Sequence, residues 1–301
     1  QGVADISFTV PAGELDAVLE AVKKPAATLG SAGVVHDSNV SKVSVVGMGM
    51  AQQTGVASKM FRALADAGVN IQMITTSEIK ISALVPRDQA DLALRAVHQA
   101  FGLDRAPADA KTWAEIRAER AQTADVQTLV SRLRDDALEE LTLTGISVSA
   151  TQARVTLHGV PDQPGIAAKV FETIGKAGIF VDMIVQGYDG DDGSTSISFT
   201  TDEQALAQSL EVAEKICAQH GMRSAQGAGG IVKVTVSGIG LRSHTQVAEV
   251  LFKTLAEADI NVQMINTSEL QVNTVIAADR ATDAHQRIVA AFSEALDDSA
   301  V

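Results

Sequence analysis

The stretch Asn70-Ile-Gln-Met-Ile-Thr-Thr-Ser-Glu78 recurs 191 residues further along the chain as Asn261-Val-Gln-Met-Ile-Asn-Thr-Ser-Glu269. At the same offset, Val43-Ser-Val-Val-Gly-Met-Gly-Met50 matches Val234-Thr-Val-Ser-Gly-Ile-Gly-Leu241. Without a gap, 23 of the 59 positions from Val43 to Phe101 are identical to their counterparts. A repeat at a fixed offset predicts that the chain uses one structural unit more than once.

A shorter repeat lies inside the large one, because residues 155–186 resemble residues 43–75 once two residues are gapped. Each large repeat is therefore predicted to be a pair of smaller units. The register also extends back to Ile6-Ser-Phe-Thr9, which matches Ile197-Ser-Phe-Thr200. The counterpart of Val155–Gly165 would precede residue 1, so we expect a truncated or excised chain that begins in mid-domain.

The unit that includes residues 155–225 illustrates the secondary structure predicted for every unit. Apolar residues at spacings of three and four indicate helices, the first of which ends at Gly178, whereas alternating stretches indicate strands. The predicted elements are a strand from Val155, a helix from Ile166, strands Ile179–Gln186 and Ser196–Thr200, a helix Asp202–His220 and a strand Met222–Ala225. This order, βαββαβ, is typical of a ferredoxin-like α+β unit.

The repeats together predict four units, which are named by their order in the chain. The first is a partial unit at 1–38 that opens with a predicted strand, Val3–Val10. The second is 40–103, the third 144–228 and the fourth 231–298. Residues 104–143 carry near-helical apolar spacing and many charges, so they are predicted to form a helical linker.

Composition excludes several classes of partner. The net charge of −13 and the pI near 4.8 have the wrong sign for nucleic acid or an anionic membrane. Aromatic residues make up only 3%, which argues against platforms for stacking bases. No stretch approaches the roughly 18 apolar residues of a membrane helix. One cysteine, Cys217, precludes an internal disulfide. The sequence therefore predicts a cytoplasmic protein.

Catalytic and metal motifs are missing from the sequence. It contains no GxxxxGK[ST], GxGxxG, GxSxG, HExxH or CxxC pattern, and its six histidines show no metal-ligand spacing. The acidic stretch at 189–193 could suggest a calcium loop. The twelfth position from Asp189 is Thr200 instead of glutamate, which favours a hairpin turn.

The loops between the first strand and first helix of the units are the best candidates for a ligand site. In Val160-Pro-Asp-Gln-Pro-Gly165, a helix N-terminus could receive a carboxylate, and Asp162 could receive an ammonium group. A zwitterionic amino acid is a chemically reasonable guest. The alternative is that Asp162 only caps the helix. Similarly, the recurring Thr-Ser-Glu stretches could be turns with their own hydrogen bonds.

These segments together resemble a known family. The stretches VTLHGVPDQPGIAAKVF, VDMIVQ, SISFT, VSVVGMGM, GVASKMF and NIQMITTSEIKIS resemble the regulatory region of aspartokinases, which is built from ACT domains. The resemblance covers nearly all of the chain except residues 104–143. It implies tandem ferredoxin-like ACT domains arranged in side-by-side pairs, with the feedback inhibitors lysine or threonine bound between units.

The resemblance also implies which residues contact the effector. In the third unit it implies Asp162, Gly165, Ala167, Asp182 and Gln186. In the fourth, taken as the partner unit, it implies His244, Val247, Asn261, Val262, Ser268 and Glu269. In the second it implies Gln53, Val56, Asn70, Ile71, Ser77 and Glu78. The family's SHPG motif appears here as Gln52-Gln-Thr-Gly55 and Ser243-His-Thr-Gln246.

The resemblance finally implies partners. A kinase core that uses ATP and Mg would lie N-terminal to these units, and this chain itself would hold no cofactor, no metal and no catalytic residue. A homo-oligomer is also implied. The leading hypothesis is an amino-acid sensor that regulates aspartate phosphorylation; the alternative is an ACT-type oligomerisation module that binds no ligand.

Overall fold

One order of elements, strand–helix–strand–strand–helix, occurs three times in the computed structural model of the chain. The structure describes residues 6–31, 33–47, 55–77, 79–105, 142–188, 194–241, 246–268 and 270–293. The ferredoxin-like α+β prediction is confirmed. The predicted linker at 104–143, with the exception of its two ends, lies outside the described residues.

The first unit contributes a single helix, α1 (Leu15–Thr28), and no strand among its described residues. The predicted strand Val3–Val10 is wrong for residues 6–10, which are not paired with any described strand. A segment without a neighbouring strand has backbone N–H and C=O groups that bond to water, and it forms no hydrogen bonds with another strand. No residue of α1 is buried, so the described part of this unit has no core of its own.

The second unit has β1 (Val40–Val46), α2 (Val56–Asp66), β2 (Met73–Ser77), β3 (Lys80–Pro86) and α3 (Ala90–Ala100). Strand β3 lies between the other two and pairs antiparallel with both. Its residues 81 to 85 are all buried. Helix α2 buries Met60, Phe61 and Leu64, whose spacing of one, three and four residues puts them on one face.

The third unit has β5 (Gln152–Val160), α4 (Ile166–Lys176), β6 (Ile184–Tyr188), β7 (Thr195–Asp202) and α5 (Leu206–His220), and β4 (Thr142–Val148) precedes it. The predicted helix ends as expected, since Gly178 adopts a φ of +71°. Strand β6 begins five residues later than predicted. A 16-residue strand, β8 (Ser224–Ile239), follows α5.

Strand β8 belongs to two units. Its first half, from Ser224, pairs with β5, and its second half, up to Ile239, pairs with β4. The sequence placed residues 144–148 in the third unit, but the pairing of Ile146 with Val236 joins them to the sheet of the fourth. This corrects the assignment of β4, because strand partners depend on register in space and not on order in the chain.

The fourth unit continues with α6 (Gln246–Glu257), β9 (Met264–Thr267), β10 (Gln271–Ala277) and α7 (Ala281–Ala291). Strand β10 lies between β8 and β9. Where the second and third units have Gly68 and Gly178 after the first helix, this unit has Asp259 at a φ of +54°. Arg280 donates hydrogen bonds to the carbonyls of Asp259 and Ala258 at 3.1 and 2.7 Å.

The described strands form one sheet in the order β1-β3-β2-β6-β7-β5-β8-β10-β9, with β4 paired to β8. The second and third units share one hydrophobic core, whereas the fourth encloses its own core around Val234, Leu251 and Ile288. The side-by-side pair is thus formed by the second and third units, on either side of the linker. The large repeat suggested the third and fourth. No helix in the described ranges is long and apolar enough to cross a bilayer.

Candidate ligand site

Equivalent residues of the second and third units meet each other at their interface. Thr75 pairs with Val185 across β2 and β6, and the rings of Phe61 and Phe171 lie 5.6 Å apart between α2 and α4. In each pair the two residues are 110 positions apart, as are the helix-starting glycines Gly55 and Gly165. Contacts between equivalent positions are the mark of a twofold interface. The two units are therefore related by a pseudo-twofold axis.

A salt bridge lies on this axis. The guanidinium of Arg62 donates two hydrogen bonds to the carboxylate of Glu172, again 110 positions away. The bond from Arg62 holds the pKa of the Glu172 carboxyl below its usual value, and the same bond raises the pKa of Arg62. A true twofold axis would bring two like charges together here. Opposite charges make the contact attractive and the two units chemically distinct.

Two clefts lie on opposite sides of the axis, each at a helix N-terminus. Gly165 precedes α4 with a φ of +90°, and Gly55 precedes α2 with a φ of +95°. A Cβ at Gly165 would lie 3.5 Å from the Cβ of Ala65, so the α4 N-terminus directly abuts the other unit. The first N–H groups of a helix have no intrahelical acceptor, and the helix dipole favours an anion there.

The cleft at the N-terminus of α4, named here the α4 cleft, gathers six of the predicted residues. They are Asn70 and Ile71 of the second unit and Asp162, Gly165, Ala167 and Gln186 of the third. The side-chain amide of Asn70 donates a hydrogen bond of 2.8 Å to Asp162 Oδ1. A polar contact therefore joins the two units at the mouth of this cleft.

Gln186 is the buried polar group of the α4 cleft, with an exposed fraction of 8%. Its Nε2 donates to Thr195 Oγ1 at 3.4 Å, whereas its Oε1 is buried without a hydrogen-bond partner. A buried acceptor that lacks a donor costs about 1–3 kcal/mol. A ligand that brings an N–H or O–H group into the cleft would remove this cost.

The cleft at the N-terminus of α2, named here the α2 cleft, is the pseudo-symmetric mate. It is lined by Val56, Ser77 and Asp182 of the predicted residues, together with Ser58, Thr76, Phe180 and Val181. Asp182 was predicted as an effector contact beside Gln186, but the structure separates them into different clefts. The Asp182 carboxylate accepts hydrogen bonds from Lys233 Nζ at 2.6 Å and Gln152 Nε2 at 3.0 Å.

The predicted residues of the fourth unit that the structure describes lie outside both clefts. Val247 is buried in the core of that unit, Val262 packs against the same core and Asn261 is exposed. Ser268 Oγ accepts hydrogen bonds from the N–H groups of Leu270 and Gln271, which supports the turn interpretation of the Thr-Ser-Glu stretch. His244, Glu269, Glu78 and Gln53 lie outside the described residues.

Sequence reasoning missed the partner of Asp162. It named the equivalent asparagine in the fourth unit, Asn261, whereas Asn70 of the second unit is the one in contact. The shorter repeat was the signal for this, because two units related by 110 residues could form a pseudo-twofold pair as readily as neighbours in sequence. The Lys233–Asp182 ion pair, whose two side chains are each 13% exposed, had no signal in the sequence.

Metal binding has no support in the described ranges, where no three His, Cys, Asp or Glu side chains are close enough to share an ion. The acidic stretch at 189–193, for which a hairpin turn was preferred to a calcium loop, is outside those ranges. The strands on its two sides do form a hairpin, since Tyr188 pairs with Thr195.

Comparison with known proteins agrees with this architecture. A family model described as ACT domain matches residues 43–101, 155–215 and 234–292, which together make up more than half of the chain. The aspartate kinase Ask_LysC of Stutzerimonas stutzeri is 40% identical over 149 residues, which is 50% of this chain and 36% of that protein. An aspartokinase of Helicobacter pylori is 38% identical over 143 residues, or 48% of this chain and 35% of that protein.

One solved structure covers most of the chain. The crystal structure of the aspartate kinase from Synechocystis is 30% identical to this chain and superimposes with a TM-score of 0.77. The match covers 95% of this chain and 46% of that protein. The chain thus spans about a third of the curated relatives and about half of the solved structure that it matches.

Proposed function

The chain belongs to the ACT domain family, and we propose that it is the amino-acid-sensing regulatory region of an aspartokinase, with its effector bound in the α4 cleft. Its resemblance to the regulatory ACT region of aspartokinases supports the regulatory role. The kinase activity itself, with its ATP and Mg, would belong to a catalytic domain that acts as partner. A cytoplasmic homo-oligomer is part of this proposal.

One observation carries the assignment of the effector to the α4 cleft. The buried Oε1 of Gln186 has no hydrogen-bond partner, and Gln186 and Asp162 line the same cleft. Two acceptors beside a helix N-terminus match the two ends of an amino acid. The α-ammonium donates to Asp162 and Gln186, and the α-carboxylate accepts from the first N–H groups of α4.

Lysine and threonine, the two candidate effectors, differ only in their side chains, so contacts with the side chain would determine which of them binds. The polar groups described above recognise the α-ammonium and α-carboxylate, which both amino acids share. Asn70, whose amide donates to Asp162, would keep this bond and share the carboxylate with the arriving ammonium. The α4 cleft draws residues from two units, so a bound effector would link them directly.

Regulation follows from this link between units. An effector that contacts Asn70 and Asp162 together stabilises one relative orientation of the second and third units. It can inhibit a kinase only if it binds the inhibited orientation more tightly, by about 1–3 kcal/mol in typical allosteric proteins. Equal affinity for both orientations would regulate nothing.

Ligand-dependent stability tests the proposal. We expect the melting temperature of the full chain to rise with either L-lysine or L-threonine, added separately at millimolar concentrations. Ligand at about 100 times its Kd adds roughly 2.7 kcal/mol of stability. The variants Asp162→Ala and Gln186→Met should each weaken binding at least tenfold, whereas the control Gln208→Ala, on the exposed face of α5, should leave binding unchanged.

The results separate sensor from scaffold. If the wild-type chain binds an amino acid and both cleft variants bind it equally well, the α4 cleft is not the site. If neither amino acid binds to the wild-type chain, the sensor hypothesis fails. The alternative, an ACT module that only holds subunits together, would then be favoured.

A further inference from the structure

The two clefts of the second and third units are equivalent in position but not in chemistry. Asn70 in the α4 cleft corresponds to Phe180 in the α2 cleft, 110 positions away. In the same way Gln186 corresponds to Thr76. An amide and a buried unpartnered carbonyl in one cleft are therefore replaced by an aromatic ring and a small hydroxyl in the other.

The described polar groups of the α2 cleft are mostly committed to the fold. Thr76 Oγ1 accepts a hydrogen bond of 2.9 Å from the N–H of Ile184, and Ser58 Oγ donates one of 2.9 Å to the carbonyl of Gly55. The carbonyl of Thr76 accepts a bond from the Asn266 amide. These groups are satisfied without a ligand, in contrast to Gln186 Oε1.

The remaining described groups of the α2 cleft are a poor match for an ammonium. The Asp182 carboxylate is neutralised by Lys233 and also bonded to Gln152. Among the described residues that line this cleft, Ser77 has a hydroxyl that is buried without a hydrogen-bond partner. One hydroxyl and the face of Phe180 offer an ammonium less than the Asp162 carboxylate, whose described partner is the neutral amide of Asn70, and the Gln186 carbonyl oxygen do. A desolvated cation needs a paired charge or several acceptors.

We propose that the pair formed by the second and third units binds one amino acid and not two. The Asn70–Phe180 asymmetry decides which cleft is occupied. This inference rests on the proposed function, since it presupposes an amino-acid effector in the α4 cleft. A single bound effector adds contacts between the two units on one side of the pseudo-twofold axis only. The units would therefore rotate about their salt bridge towards that side and would not close symmetrically.

Exchange of the two residues tests the inference. Equilibrium dialysis of the full chain with radiolabelled L-lysine, and separately with L-threonine, measures the affinity and the number of bound equivalents. Asn70→Phe should lose one equivalent or weaken it at least tenfold. Phe180→Asn should keep both the number of equivalents and the affinity within a factor of two. Both side chains are only partly buried, and unchanged thermal melts of the unliganded variants would show that each variant folds.

Three outcomes are informative. A loss of one equivalent from Phe180→Asn, or equal losses from both variants, would overturn the asymmetry while leaving the sensor function intact. A wild-type chain that binds one of these amino acids, with Asn70→Phe unaffected, would overturn it as well. Absence of binding to the wild-type chain would instead refute the proposed function, and the inference would fall with it.

Discussion

A double-mutant cycle on the two phenylalanines of the pseudo-twofold axis measures whether the second and third units form one body. Phe61 and Phe171 belong to different units, are 0% and 4% exposed, and their rings lie 5.6 Å apart at an interplanar angle of 56°. Aromatic pairs in such geometry contribute about 0.5–1.5 kcal/mol beyond the area that they bury. The coupling free energy between the two sites should fall in that range.

The single substitutions should differ in size. Phe61→Leu removes one ring contact and leaves a small cavity, so we expect a loss of about 1–2 kcal/mol in the free energy of unfolding. Phe171→Leu should cost more, about 1.5–3 kcal/mol, because this ring also meets Phe199 at 6.2 Å. The double variant should lose less than the sum of the two, since the contact between the rings can be lost only once.

Urea unfolding followed by circular dichroism provides the free energies for all four proteins. The matched control combines Phe61→Leu with Ile288→Val, which lies in the separate core of the fourth unit. Distant sites should add to within about 0.5 kcal/mol. A Phe61–Phe171 coupling no larger than that of the control would refute the side-by-side packing of the second and third units, and with it the geometry of both clefts.

Three further predictions concern electrostatics and the backbone. Lys233→Met should cost about 3–5 kcal/mol in urea unfolding, because it leaves the Asp182 carboxylate buried without its cation; a loss under about 1 kcal/mol would mean that water reaches the carboxylate. Asp259→Gly should raise the stability by about 0.5–1 kcal/mol in the same assay, since Asp259 holds a φ of +54° that glycine adopts freely, and a destabilised variant would contradict this. The pKa of the Glu172 carboxyl is lower in the folded chain than in the unfolded chain, where it is about 4.3. The ionised carboxylate therefore stabilises the fold fully at pH values above the unfolded pKa, and this stabilisation is lost as the pH falls through the lower pKa of the folded state. The melting temperature of Glu172→Gln should therefore lie below that of the wild-type chain at pH 6 and approach it in strong acid, whereas a constant difference would show that the salt bridge with Arg62 does not matter.

The candidate site was predictable in composition but not in assembly. Asp162, Gly165 and Gln186 could be named from one unit, because a loop, a helix start and a strand are local features. Asn70 could be named as well, but not as the partner of Asp162, since the contact joins residues 92 positions apart. The pairing of Asp182 with Lys233 could not be predicted either, because the loop before β6 and strand β8 are 51 residues apart in sequence and meet only in the folded chain.

The sequence by itself determined the unit: its order of strands and helices, the glycines that begin and end the helices, and the fact that it occurs more than once. Periodicity and turn chemistry are local, so they can be read from neighbouring residues. Only the tertiary structure decided that the second unit pairs with the third, that β4 completes the sheet of the fourth, and that the unpartnered carbonyl oxygen of Gln186 belongs to one of two equivalent clefts. These outcomes depend on which faces bury each other, and repeated units with similar faces allow several pairings that differ only in long-range contacts.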